Sequence, residues 1–413
     1  MDDFDAVVCG LGAMGSATAY QLAKRGLRVL GIDRFAPPHD QGSTHGDSRI
    51  TRLAIGEGLA YVPLAMRSHR LWREIEEETG ANLLTTNGVL IMASPGVHRR
   101  HHGKTNFLET TISAAQAFAI EHEVLSAAEI SRRFPQFQLI GSETGYFEPG
   151  GGFVRPEAAV AAQLELAARH GAVLHPRETL TAFAQDGSGV RVTTSSGEYA
   201  AGVLVLAAGP WLGEILGKAY APHFSITRQL LHWYDVSGSG DDYLPDRFPV
   251  FIWDHEQFTF YGFPAIDGPG GGVKVAAEAE QLSPTVDDVD RDVSVAERHH
   301  LYDSVVGHRL RGLARHCLRA VTCVYTTTPD GDFVIDRHPE HPAVVILSAC
   351  SGHGFKHSAA IGEAVATDIV GGAALIDLTP FSMRRLSVGI PGGVHSGRDG
   401  ARAAMRLELE DDR

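Results

Sequence analysis

The chain has 413 residues, 44% hydrophobic and 21% charged, the balance of a soluble globular protein with room for two or three domains. Its formal net charge of −14 would repel a phosphate backbone, so nucleic acid is not an expected partner. The acidic start MDDFD lacks the basic region of a signal peptide, and the longest apolar runs are too short for a bilayer, so a cytoplasmic protein without a membrane partner is expected.

The first elements are the clearest. DAVVC (5–9) reads as a buried strand, followed by GLGAMG with Gly10, Gly12 and Gly15. An amphipathic helix through SATAYQLAKRG stops at Gly26, and LRVLGID is a second strand ending in Asp33. This is a βαβ unit carrying the dinucleotide fingerprint in its required context. The glycines let the backbone approach a pyrophosphate, the helix N-terminus offers it free N–H groups, and Asp33 can accept from a ribose. The fingerprint alone does not separate NAD from FAD.

Further on, TNGVLIMAS (85–93) alternates like a strand, and VHRRHHGK (97–104) reads as a solvated loop rather than a metal site. EYAAGVLVLAAGPW (198–211) contains the continuous apolar run of a parallel sheet. The stretch 225–321 alternates again, as in QFTFYGFP and GGVKVAAEAE, and PAVVILSACSGHGFKHSAAIGEAVATDIV (342–370) runs strand, Gly-containing turn, helix. One α/β domain is thus dispersed along the chain, with a second domain interleaved. The expected divisions are 1–85, 148–224 and 322–390 for the nucleotide domain, and 86–147 and 225–321 for the other. Residues 391–413 are expected to be a loosely held tail. Cys9, Cys317, Cys323 and Cys350 are scattered without a Cys-x-x-Cys pair, so neither a metal site nor a disulfide framework is expected.

Lysine is scarce: five against 31 arginines. Lys274 lies between valines in GGVKVAA, and Lys356 sits at a helix start in SGHGFKHS. A cation at a helix N-terminus costs about 0.3–1 kcal/mol unless an anion compensates it, and a substrate carboxylate would.

Several separate segments then carry a resemblance: FDAVVCGLGAMG, GSTHGDSRITRLAIGEG (42–58), FYGFP (260–264), CVYTTTPDGDFVIDRHPEH (323–341) and SGHGFKHS (351–358). Together they resemble the monomeric sarcosine oxidase and N-methyltryptophan oxidase family of FAD-dependent amine oxidases, over nearly the whole chain. The resemblance implies a two-domain α/β flavoprotein, with a Rossmann-like FAD-binding domain and a mixed-sheet α+β substrate domain, acting as a monomer. It implies oxidation of a secondary amino acid at the C–N bond to an imine, with O2 reduced to hydrogen peroxide. Cys323 matches the covalent 8α-S-cysteinyl attachment point of FAD, where a thiolate helped by nearby positive charge attacks the flavin methyl carbon.

Arg52 and Lys356 match a clamp on the substrate carboxylate, Arg49 the cation against the flavin, and Lys274 the lysine that promotes oxygen reduction. Tyr261 and Tyr325 match cavity-lining residues. His45, Gly352, His353 and Gly354 lie in the matching cofactor motifs, the histidines having an ordinary loop hydrogen bond as their alternative. One departure stands out: Glu278 occupies the position of the family's histidine, four residues after Lys274. It could pair with Lys274, contact a cationic or hydroxylated substrate group, or take the amine proton. Three rivals stay open: a flavin dehydrogenase with another acceptor, an NAD-linked dehydrogenase, and a non-catalytic flavoprotein.

Overall fold

Val7, at the centre of the first strand, pairs in parallel with Leu30 on one side and Leu204 on the other. The computed structural model describes residues 2–96, 101–238, 240–279 and 281–387. Strand β1 (Asp2–Cys9), helix α1 (Ala13–Lys24) and strand β2 (Val29–Asp33) form the expected unit. Gly26, at φ +83°, turns the chain between α1 and β2, a conformation that suits glycine. The strands Glu198–Leu206, Val344–Ser348 and Val173–Pro176 extend the parallel sheet, and antiparallel strands complete eight among the described residues.

Helices Pro156–Arg169 and Ser358–Ile369 both pack against α1 beside this sheet. Their contact faces are built of small residues. A Cβ on Gly362 would come within 2.6 Å of the Ala17 side chain, so the helix crossing at α1 requires glycine there.

A second sheet has nine strands among the described residues, mostly antiparallel. The strand Leu313–Thr327 pairs along the length of Ser225–Val236, placing Cys323 opposite Gln229. That strand runs without interruption through the expected division at 321/322. The strand Val273–Ala277 shows what two-residue periodicity does here. Val273 and Val275 join an aromatic core with Phe251, Trp253 and Phe260, while Ala276 joins Leu231, Trp233 and Cys323. Lys274 shares the second face and is 2% exposed.

The chain divides into a compact unit of residues 1–382 and a second of 383–413, whose described part is the short helix Arg384–Ser387. The expected tail, 391–413, lies outside the described residues. Among the described residues no helix is long and apolar enough to cross a membrane.

Candidate active site

The glycine turn after β1 is tight. A Cβ on Gly15 would lie 1.7 Å from Gly10 O, and one on Gly10 2.5 Å from Ala207 O. Gly12 is different: its Cβ would meet only Thr44 Oγ1, at 3.5 Å. Gly10 and Gly15 are required by the fold; Gly12 leaves open space against the N-terminus of α1. Asp33 Oδ2 accepts from Leu11 N at 2.7 Å and Oδ1 from Phe35 N at 2.8 Å, so this carboxylate also fixes the turn.

From this cradle a cavity of about 300 Å³ runs beneath the second sheet, lined at its far end by Arg49, Arg52, Tyr261, Lys274, Tyr325 and Lys356. Glu278, Gly352, His353 and Gly354 line it as well. Cys323 is not itself among the lining residues; it is 1% exposed and reached from the cavity side by Arg49, whose Nη2 donates to its Sγ at 3.7 Å. Burial pushes the Cys323 thiol up, and Arg49 and Lys274 pull against it. His45 is buried nearby with Nε2 unpaired; burial and Arg49 hold its pKa down to about 3.

Lys274 reaches across to the segment that carries Arg49. Its Nζ donates to Gly46 O at 2.6 Å and to Ser48 O at 2.8 Å, and lies 4.6 Å from the centre of the Phe263 ring. Burial, reinforced by Arg49, holds its pKa well below that of a free lysine. It does not pair with Glu278, the first of the three roles considered for that carboxylate. Tyr261 and Tyr325 share a hydrogen bond of 3.1 Å between their hydroxyls.

At the far end Arg52 and Lys356 are gathered by a residue that sequence reasoning missed. Glu57 Oε2 accepts from Arg52 Nη2 at 2.8 Å, and its Oε1 lies 3.7 Å from Lys356 Nζ. Burial alone would raise the Glu57 carboxyl; Arg52 and Lys356 outweigh it and keep the group well below the usual range. Burial lowers Lys356 to about 7 against the pull of Glu57. Glu57 was in view, inside the segment 42–58, but nothing local marks it as buried.

The described part of VHRRHHGK, residues 101–104, is not the solvated loop its composition suggests. Residues 97–100 lie outside the described set, but His101 is 2% exposed, not solvated. A bridge between His101 and Lys104 turns the chain, and Lys104 pairs with Asp332 at 2.9 Å. His102 Nδ1 is thereby placed 3.1 Å from Glu57 Oε1, and Nε2 2.8 Å from Glu278 Oε1. Burial would discharge His102, yet Glu278 and Glu57 raise it to about 9. Glu278 in turn falls to about 2 against its burial, helped by His101 and His102. Because burial holds His101 near 3, the charge stabilising Glu278 at neutral pH is that of His102. Glu57, His101 and His102 bring ligand-type atoms within 4.8 Å of one another. Arg52, Lys356 and protonated His102 already supply their counter-charge, which argues against a metal ion there.

A dinucleotide cradle opening into a buried, cation-lined cavity under a second sheet has the form of a dinucleotide-dependent oxidoreductase. The chain belongs to the FAD dependent oxidoreductase family, whose model matches residues 5–367. It is 39% identical over 389 residues to monomeric sarcosine oxidase of Streptomyces avermitilis, covering 93% of this chain and 98% of that protein. It is 32% identical over 391 residues to N-methyl-L-tryptophan oxidase of Yersinia pestis, covering 93% and 99%. Among solved structures, the amino acid oxidase NikD matches with a TM-score of 0.79 at 24% identity, covering 92% of this chain and 98% of that one. Glycine oxidase from Geobacillus kaustophilus matches with a TM-score of 0.71 at 20% identity, covering 93% and 99%. The protein is an FAD-dependent enzyme with the two-domain fold of these oxidases.

Proposed function

We propose that the protein oxidises the C–N bond of secondary amino acids, N-methylated or cyclic, to an imine and passes the electrons to O2 as hydrogen peroxide. The observation that carries this reading is the convergence of two buried cations, Arg52 and Lys356, on a cavity continuous with the dinucleotide cradle. The fork of Arg52 and the point charge of Lys356 suit a carboxylate. They would bind it by exchanging Glu57 for the substrate.

The residues present fit FAD. The open face at Gly12 leaves room for a pyrophosphate, and Asp33 retains acceptor capacity for a ribose. Gly10, Gly15, Gly352, Gly354 and His45 belong to the same proposed cofactor site. When bound, the flavin supplies a two-electron acceptor. Cys323 is its proposed covalent anchor, and Arg49, beside that thiol, the charge that favours a reduced, anionic ring. Lys274 is the proposed cation for oxygen reduction, aimed by the carbonyls of Gly46 and Ser48. Tyr261 and Tyr325 would close the cavity over the amine and exclude water. The domain divisions stated above, a monomeric state and a cytoplasmic location belong to the same proposal.

The test is a screen of N-methyl and cyclic amino acids for peroxide release, with acid precipitation of the purified protein alongside. Substrate-dependent peroxide and a yellow pellet that turns colourless in Cys323→Ser support the reading. Flavin that washes out of wild type removes the anchor; absence of peroxide with every amino acid removes the oxidase.

A further inference from the structure

The resemblance places a histidine where this chain has Glu278, and the structure supplies imidazoles from elsewhere. His101 and His102 arrive on the 101–104 turn, which presses on the loop after the Cys323 strand. A Cβ on Gly331 would lie 2.3 Å from His102 O, and one on Gly352 2.7 Å from the His102 ring, so both glycines are needed to seat it. His102 is held at both nitrogens by carboxylates. Glu278 Oε1 in turn lies 2.8 Å from His102 Nε2 and 3.4 Å from His101 Nδ1, and neither contact has the geometry of a full hydrogen bond. A buried carboxylate held by charge contacts of this kind keeps acceptor capacity for a ligand group or water. Glu278 borders the cation-lined cavity and is, among the described residues, the one lining residue that this cavity shares with a second one of about 560 Å³.

We propose that Glu278 is the specificity-determining residue of this site and His102 its positioning residue, the carboxylate accepting a hydrogen bond from a hydroxyl or ammonium on the substrate's side chain. This rests on the amino acid oxidase reading and narrows it to N-alkylated amino acids with a side-chain donor. Of the roles considered for Glu278, it selects contact with the substrate side chain. The charge on Glu278 also faces His101, Glu57 and the tyrosine pair, and Glu57 in turn faces Arg52, Lys356 and His353, so its ionisation depends on the cluster and not on His102 alone.

The test compares matched substrates in the holoenzyme: Nα-methyl-lysine against N-methylnorleucine, and N-methylserine against N-methylalanine. Both anaerobic flavin reduction and calorimetric binding are read. Wild type is expected to favour the donor-bearing member of at least one pair by about 10- to 100-fold, the range of one charge-assisted hydrogen bond. Glu278→Leu should abolish the preference. Glu278→Gln should weaken it for the ammonium more than for the hydroxyl. In His102→Gln the preference should fade as the pH drops toward 5, where wild type keeps it. Equal binding of both members by wild type, or a preference that survives Glu278→Leu, overturns the inference. If none of these compounds reduces the flavin, the oxidase reading fails, and the binding ratio still decides the role of Glu278.

Discussion

Arg52 and Glu57 form a salt bridge of 2.8 Å in which the side chains are 2% and 0% exposed. Glu57 thus holds the place that the proposed substrate carboxylate would take. Removing one partner of a buried pair leaves the other uncompensated, at about 3–5 kcal/mol. Glu57→Gln is therefore expected to lower the thermal midpoint by several degrees while freeing Arg52 and Lys356. Acetate should stabilise the variant more than wild type. Equal stabilisation of the two by acetate would contradict the exchange of carboxylates.

Lys274 and the carboxylate clamp are separate groups, so their effects should separate. Lys274→Met is expected to slow reoxidation of the reduced enzyme by O2 by about 10²–10³-fold, the loss typical of one electrostatic stabiliser. Anaerobic reduction should change only a few-fold. Stopped-flow traces of the two half-reactions measure this directly. A dehydrogenase with another acceptor would show slow reoxidation already in wild type.

The glycines make opposite predictions. Gly15→Ala drives a Cβ into Gly10 O at 1.7 Å and should destabilise the fold itself. Gly12→Ala meets no atom closer than 3.5 Å, so the protein should fold normally yet carry less flavin, because the added methyl stands in the cradle. Thermal unfolding and the visible absorbance per chain distinguish the two.

Two buried bases work against each other as pH changes. His102, raised from 6.5 to about 9, contributes stability that is full below 6.5 and lost as pH rises through 9. Lys356, lowered from 10.5 to about 7, opposes folding while charged, so its contribution rises between 7 and 10.5. Wild-type stability should therefore be nearly flat between about pH 7 and 9, where the two windows overlap. In His102→Gln it should rise with pH, and the gap to wild type should close by about pH 9. Denaturant titrations between pH 6 and 10 check the slope.

The legible parts of this molecule are those in which neighbours in sequence do the work. GLGAMG, with a strand before it, a helix after it and Asp33 closing the unit, is a local pattern, and the structure has it as read. Val273, Lys274 and Val275 alternate between core and cavity as two-residue periodicity requires. His101 and His102 were misread because VHRRHHGK is polar in composition. Their burial is decided by Glu57, Glu278 and Gly352, all distant in the chain, and by the Lys104–Asp332 pair that holds the turn down. The unusual residue at 278 was visible, whereas its partner was not. A departure from a family pattern shows that a contact has changed without showing what replaced it.

The most direct measurement is the visible spectrum of the purified protein during anaerobic titration with N-methyl amino acids, followed by admission of air. The account predicts loss of the yellow band at one equivalent of a substrate and its return in air with one equivalent of hydrogen peroxide. A flavin that no secondary amino acid bleaches, or a purified protein without flavin, would contradict it.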